Sequence, residues 1–298
     1  MPHLRLRPLE PRDWDAVAAL IHRSTNAWYR ANRGFDAFAC PPADCRIFCE
    51  TYEALDPGEC LVVEDEDTGE IVGSCFVHPR ETHISLGIVN VAPERFGHGI
   101  ARRMLDSAVA LSERTGRPLR LVSSAMNLDS LSLYTRAGFV PRQLFQDMVA
   151  TVPQEGLGGA APEGVARVRP GRVGDASALA ALEEQLAGIR RERDIAHFLE
   201  NRDGIWSVRV IEGGDGAPAG WLAASAHPAS RIVGPGVAAS EADAAALLWA
   251  HLDAQRGQTP LFLVPADAAE LVAAAYGWGA RNVETHVAQV RGPWRRPA

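Results

Sequence analysis

Residues 84–103 constrain this 298-residue chain more than any other stretch. An apolar run, Ile84 to Val91, has the length and composition of a buried strand, and it stops at Pro93. Gly97 and Gly99 follow. From Ile100 the positions Ile100, Ala101, Met104, Leu105, Ala108, Val109 and Leu111 then recur at helical spacing. A strand, a glycine turn and a helix start together make an anion site. Glycine lets the backbone turn tightly and come close to a ligand. The first helical turn adds unpaired N–H donors and the positive end of the helix dipole. Such a loop suits a phosphate or pyrophosphate. It is not the nucleotide P-loop, since no Gly-Lys-Ser/Thr follows, nor the dinucleotide fingerprint, since the third glycine is missing.

The stretch resembles the acyl-CoA loop of the GNAT superfamily of N-acetyltransferases, which reads Arg/Gln-x-x-Gly-x-Gly/Ala after a Val-x-Pro strand end. The matching residues are Val91-Ala92-Pro93 and Phe96-Gly97-His98-Gly99-Ile100-Ala101, with Phe96 standing where the family usually has Arg or Gln. A second block, Asn127 to Phe139, is similar to the family's helix with Asn, a small residue, Tyr and then Gly-Phe, here Asn127, Ser130, Tyr134 and Gly138-Phe139.

The resemblance implies an α/β fold: a mixed, mostly antiparallel central sheet flanked by helices. It implies acetyl-CoA as co-substrate and no metal, with Phe96, Gly97, His98, Gly99, Ile100, Ala101 and Arg102 around the pyrophosphate. Asn127, Ser130 and Tyr134 would also contact CoA. A backbone N–H of Asn90 or Val91 would polarise the thioester, and Tyr134 would protonate the departing thiolate. Many family members carry a Glu base on the strand before the loop, and Ile84–Val91 has none. His83, at the start of that strand, is the candidate side chain, and His78 at the end of the preceding strand has the same intrinsic suitability; the alternatives are a base acting through ordered water and no dedicated base. The region around the first two helices usually shapes the acceptor pocket. Trp28, Tyr29 and Arg33, with Ser123, are therefore expected to contact the substrate.

Two such domains fit the chain length. After a strand at Leu4–Leu9 and a helix opened by Arg12-Asp13-Trp14, the pattern turns irregular from Ser24 to Asp56. Strands at 60–64 and 71–77 flank the turn Asp67-Thr68-Gly69, and Phe139 to Ala150 reads as a final strand or hairpin. A Gly- and Pro-rich linker at 151–164 ends the first domain, residues 1–150, and over 165–298 the plan starts again. Val165–Pro170 echoes Leu4–Pro8, strands flank Gly213-Gly214-Asp215-Gly216, and the helices and strands follow in the same order. Where the first half has its glycine loop, the second has Val237-Ala238-Ala239-Ser240-Glu241-Ala242-Asp243, whose carboxylates suit a helix start but repel pyrophosphate. The second half therefore reads as a degenerate, structural copy.

A net charge of −7 argues against nucleic acid or an anionic membrane as partner. The start of the chain lacks a signal peptide's apolar core, which points to the cytoplasm. Five cysteines in such a chain are expected as free thiols, and the spacing of Cys40, Cys45 and Cys49 fits no common zinc pattern. The expected activity is acetyl transfer to a primary amine of a small molecule, by a monomer or homodimer. The alternatives are a protein lysine or N-terminal acetyltransferase, and a CoA-binding sensor without turnover.

Overall fold

The computed structural model describes residues 3–214 and 216–297; Asp215 of the expected second-half turn lies outside the described residues. The chain packs as two compact units. One holds residues up to Leu121 with Arg136–Gly138, the other Val122–Thr135 with the residues from Phe139 on.

The first unit contains β1 (Leu4–Pro8), α1 (Trp14–Arg33), α2 (Arg46–Leu55), β2 (Leu61–Asp65), β3 (Glu70–Pro79), β4 (Ile84–Val91), α3 (Ile100–Thr115) and β5 (Leu119–Ser124), which passes into the second unit at Val122. Its strands lie in chain order, antiparallel except for the parallel pair β4–β5. Helix α3 buries Ile100, Met104, Leu105 and Ala108, the face its periodicity marks. It sits close on β3 because residue 73 is glycine: a Cβ there would lie 2.8 Å from Ile100 Cγ2.

Helix α1 corrects one expectation. The segment from Ser24 is not irregular; the helix runs on to Arg33 and ends at Gly34 in the left-handed conformation (φ 77°). The apolar pattern fades because α1 buries polar side chains in its second half. Asn26 donates to the Phe38 carbonyl (2.9 Å) and accepts from the Phe38 N–H (2.8 Å), pinning the following segment.

The second unit contains α4 (Leu128–Arg136) up to Thr135, then β6 (Val140–Val149), β7 (Val168–Pro170), α5 (Ala176–Ala187), α6 (Glu192–Glu200), β8 (Trp206–Glu212), β9 (Pro218–Ser225), β10 (Ile232–Ala238), α7 (Glu241–Asp253), β11 (Leu261–Pro265), α8 (Ala269–Gly277) and β12 (Arg281–Arg291). Its strand order is β12-β6-β11-β10-β9-β8-β7. Strand β6 lies between β11 and β12, antiparallel to both. The segment expected as a linker is packed as well: Val152 is buried, and the Leu157 N–H donates to Asp253 on α7 (2.9 Å). One cluster around Leu252, Phe262 and Met148 and another around Trp221, Leu179 and Ile195 form this unit's core.

The internal repeat is legible in side-chain detail. In the first unit Arg7 Nη1 and Nη2 donate to the two oxygens of Asp13 (2.6 and 2.9 Å), and its Nε donates to Glu64 (2.7 Å). In the second, Arg169 makes the same fork on Asp175 (2.7 and 3.1 Å) and the same bond to Glu212 (2.7 Å). Each fork ties a first strand to the turn that starts a first helix. The parallel pairs repeat too: β4 meets β5 only at Ile84↔Leu119 and Ser85↔Arg120, and β10 meets β11 only at Ile232↔Leu261 and Val233↔Phe262.

Arg7 holds the Asp13 carboxyl below its ordinary range, chiefly through the hydrogen bonds it donates. A lowered folded value means the pair stabilises fully above about pH 4 and less as pH falls further. Asp13→Asn takes from the buried Arg7 guanidinium the carboxylate that grips both its Nη atoms and leaves it Glu64 alone of the pair. Urea unfolding at pH 7 is expected to show a loss of about 3 kcal/mol, shrinking at pH 3.

Candidate active site

The glycine loop follows β4 through one tight turn, Pro93–Arg95. Gly97 and Gly99 both have φ 78°, a conformation L side chains rarely adopt, while a Cβ at either would meet nothing within 4 Å. Backbone shape, not crowding, therefore requires them. Helix α3 starts at Ile100, and no side chain caps it at Gly99. Its first bond runs from the Arg103 N–H to the Gly99 carbonyl (3.0 Å). The N–H groups of Ile100, Ala101 and Arg102 thus have no intrahelical acceptor, and they add to the dipole's positive end. Arg102 is engaged with Asp106 (2.7 Å), Arg103 with the Leu4 carbonyl (2.7 Å) and Arg95 with Asp65 (2.6 Å). The His98 ring lies 2.9 Å from the Phe96 carbonyl, and Phe96 itself is half exposed. The donors left open at this turn are backbone N–H groups.

Strand β4 presents the second element. On one edge it pairs with β3, but its pairing with β5 ends at Ser85↔Arg120, so from Leu86 on the other edge has no parallel partner. The Ala92 N–H donates to the Val72 carbonyl on β3 (2.9 Å). Strand alternation therefore turns the N–H groups of Val89 and Val91 toward the unladdered edge and that of Asn90 toward β3. Of the two expected donors, Val91 has the orientation to meet a thioester carbonyl. The Asn90 side chain is buried on the α1 side, donating to Ser24 Oγ (2.7 Å). The β3–β4 register slips between Cys75 and Val77, so that Gly87 and Ile88 face Phe76 in a bulge.

Beside the bulge sits a group that the sequence only half announced. Asp56, just past α2, receives both Nη atoms of Arg80 (2.6 and 2.9 Å) and lies 2.7 Å from His78 Nδ1. Burial alone would raise the Asp56 carboxyl's pKa, but the bonds from His78 and Arg80 overcome it and hold the group low. His78 is only 6% exposed, its ring is 4.4 Å from that of Tyr52, and its Nε2 has no hydrogen-bond partner. His83, the candidate base, is 2% exposed at the other end of β4 from the glycine loop, with Nδ1 3.1 Å from Thr82 Oγ1. Ser85, opposite His78 in register, lies near the same end, so the two histidines stand at positions six and eight residues along β4 from Val91.

The expected acceptor residues of α1 come together at its C-terminal end. Trp28 and Tyr29 meet edge-on (5.0 Å between centroids), Tyr29 packs on Phe35 (5.5 Å), and the Arg33 guanidinium lies over the Phe35 ring (5.8 Å).

Residues 56–141 match the family model described as an acetyltransferase (GNAT) domain. The chain carries a GNAT domain. Solved structures extend the likeness in fold to nearly the whole chain. A candidate acetyltransferase from Pyrococcus horikoshii is 16% identical with a TM-score of 0.74, over 97% of this chain and 89% of the other. A GCN5-related N-acetyltransferase from Sphaerobacter thermophilus is 18% identical with a TM-score of 0.67, over 98% and 97%. A tandem GNAT protein from the clavulanic acid biosynthesis pathway is 16% identical with a TM-score of 0.62, over 98% and 100%. No protein of curated function matches the sequence. Two tandem GNAT folds thus account for the repeat of forks and parallel pairs. Among the described residues no helix is long and apolar enough to cross a membrane.

The second GNAT block folds as α4. Asn127 caps it, its Oδ1 accepting from the Ser130 N–H (3.1 Å). Tyr134 is 8% exposed, its ring 5.8 Å from that of Phe139. Ser123, at the end of β5, accepts from Gln289 (2.9 Å). The second half closes the helix terminus that the first half leaves open. Ser240 Oγ accepts the Asp243 N–H at the start of α7 (3.1 Å), Asp243 holds Arg167 (2.6 Å), and Glu241 accepts the Glu270 and Leu271 N–H groups of α8 (2.7 and 2.9 Å).

The five cysteines are free. Burial pushes the thiols of Cys45, Cys49 and Cys75 up to about 12. One group among the described residues has the composition of a metal site: Asp147 on β6 with Glu284 and His286 on β12, ligand atoms within 4.8 Å of one another. Period-2 patterning gave no hint of it, since the pairing of β6 with β12 spans more than a hundred residues. Burial lowers the His286 pKa, but the bond to Asp147 and the charges of Asp147 and Glu284 raise it further, so the net direction is up. An imidazolium favoured by folding stabilises fully below about pH 6.5 and fades as pH rises through the raised value. His286→Gln is therefore expected to cost more stability at pH 6 than at pH 9, as read by urea unfolding at the two values.

Proposed function

We propose that the protein transfers an acetyl group from acetyl-CoA to the primary amine of a small molecule, by direct attack within a ternary complex. One observation supports this reading above others: an uncapped helix N-terminus behind two left-handed glycines, at the end of a strand whose outer edge is unladdered. Backbone donors from Gly97 to Arg102 hold the pyrophosphate. The Val91 N–H stabilises charge developing on the thioester oxygen. Tyr134 is the proposed acid for the thiolate sulfur, on the strength of its place in the second GNAT block, with Asn127 and Ser130 as CoA contacts. Trp28, Tyr29 and Arg33 give the acceptor an aromatic and cationic neighbour, which suits an amine carrying a ring or alkyl part and an acidic group. The self-capped start of α7 supports a single acetyl-CoA site per chain, with the second half structural.

Calorimetric titration with acetyl-CoA is the test. The native chain is expected to bind one equivalent, and Gly99→Asp, which sets a carboxylate against the pyrophosphate, to bind none while keeping native circular dichroism. No binding to the native chain overturns the proposal, and two sites overturn the account of the second half. Tyr134→Phe is expected to keep acetyl-CoA affinity and to slow CoA release with an amine by about a hundredfold. An unchanged rate removes Tyr134 from its role.

A further inference from the structure

Two features of the first unit stand side by side without a shared explanation. The strand that should carry a base, Ile84–Val91, has no carboxylate. On the neighbouring strand, a buried imidazole has one nitrogen that nothing accepts from or donates to, His78 Nε2. A buried polar atom left without a partner costs about 1–3 kcal/mol, so such atoms call for a reason.

The geometry fixes the protonation pattern around that atom. Asp56 is ionised, since Arg80 grips both its oxygens (2.6 and 2.9 Å). Its contact with His78 Nδ1 (2.7 Å) is therefore an N–H···O bond with the proton on Nδ1. A neutral imidazole held this way carries its lone pair on Nε2. A proton gained at Nε2 is stabilised by the Asp56 carboxylate behind Nδ1. This is how an orienting carboxylate serves a general base.

The lone pair points to the β4 bulge. A Cβ at position 87 would stand 2.9 Å from Nε2 and 3.2 Å from Phe76 Cβ, so glycine there makes room for the ring. The bulge lies on the same strand whose unladdered edge leads to the glycine loop. Tyr52 and Phe76 complete the ring's surroundings, with Ser85 opposite it in register. Tyr52 and Asp56 meet the ring, and Arg80 stands behind Asp56.

We propose that His78 Nε2 is the general base of the acetyl transfer, with Asp56 and Arg80 as positioning residues. The inference rests on the acetyl-transfer reading above. Nε2, opposite Ser85 and six residues along β4 from Val91, takes one proton from the acceptor's ammonium through a relay of water. The freed amine lone pair forms the C–N bond to the acetyl carbon as the C–S bond breaks. A second nitrogen proton ends on the thiolate sulfur, giving amide and free CoA, and His78 returns its proton to solvent.

The experiment pairs kinetics with a probe that needs no acceptor. Native protein, His78→Gln, Asp56→Asn and His83→Gln are titrated with acetyl-CoA, then assayed for thiol release with 2-phenylethylamine, spermidine and glucosamine across pH 5.5–9.5. His78→Gln is expected to bind acetyl-CoA within twofold of native and to lose about a hundredfold in kcat/KM, together with the acid limb of the profile. Asp56→Asn is expected to lower kcat with KM little changed. Retained turnover and limb in His78→Gln, or loss of the limb in His83→Gln alone, overturns the inference and leaves the acetyltransferase reading standing. Failure of the native chain to bind acetyl-CoA overturns both. Nitrogen-15 correlation spectra of the histidine rings decide the matter if no amine in the panel reacts. The expected signature is a His78 ring protonated at Nδ1, with an Nε2 signal that moves on adding acetyl-CoA; an Nε2–H tautomer, or no response, overturns the assignment.

Discussion

Strand β4 is the constraint on which the proposed site depends. Its inner edge is committed to β3, and its outer edge is laddered over two residues and then released. A released edge is ordinarily a liability, since it offers unpaired N–H and C=O groups to any passing strand. Here the strand ends in a turn that only glycine at 97 and 99 can follow, and α3 starts with its donors uncapped. The same few residues thus hold a row of strand donors and a row of helix donors in one rigid piece. Gly73 lets α3 seat on β3, and without that close approach neither row would be fixed relative to the other.

The second half shows what the same plan becomes when a helix terminus is satisfied from within. The Arg169–Asp175–Glu212 fork, the short parallel pair and the helix order are retained. At the start of α7, Ser240 caps the helix and Asp243 engages Arg167, while Glu241 spans to α8. A side chain that satisfies a helix end stabilises it by about 1 kcal/mol and removes it as an anion site. Scaffold and binding loop have therefore diverged while the architecture stayed.

What the sequence could reveal follows from the range of each interaction. The strand–glycine–helix element was legible because positive φ and helical periodicity are local properties, readable at Gly97, Gly99 and Ile100. The repeat was legible because Leu4–Pro8 and Val168–Pro170 each carry their Arg a few residues before its Asp. The second half of α1 was hidden, because Ser24 and Asn26 are buried by hydrogen bonding rather than by hydrophobicity. Asp56 was hidden for a different reason: it lies 22 residues from His78, and no pattern couples a helix end to a distant strand. The Asp147–Glu284–His286 group was invisible for the same reason, at longer range.

The place of β6 bears on how this chain is made. Its neighbours in the sheet are β11 and β12, and Val149 meets Leu261 and Arg281. A ribosome adding 5–20 residues per second finishes β6 roughly 6–20 s before the first of those partners emerges. Through that interval β6 has neither edge closed, and it depends on slow, long-range pairing for its burial. A chain cut within 151–164 would separate β6 from both flanking strands, so the repeat visible in the sequence is not a pair of separable folding units. The late-arriving strands β11 and β12 complete the pairing that β6 began.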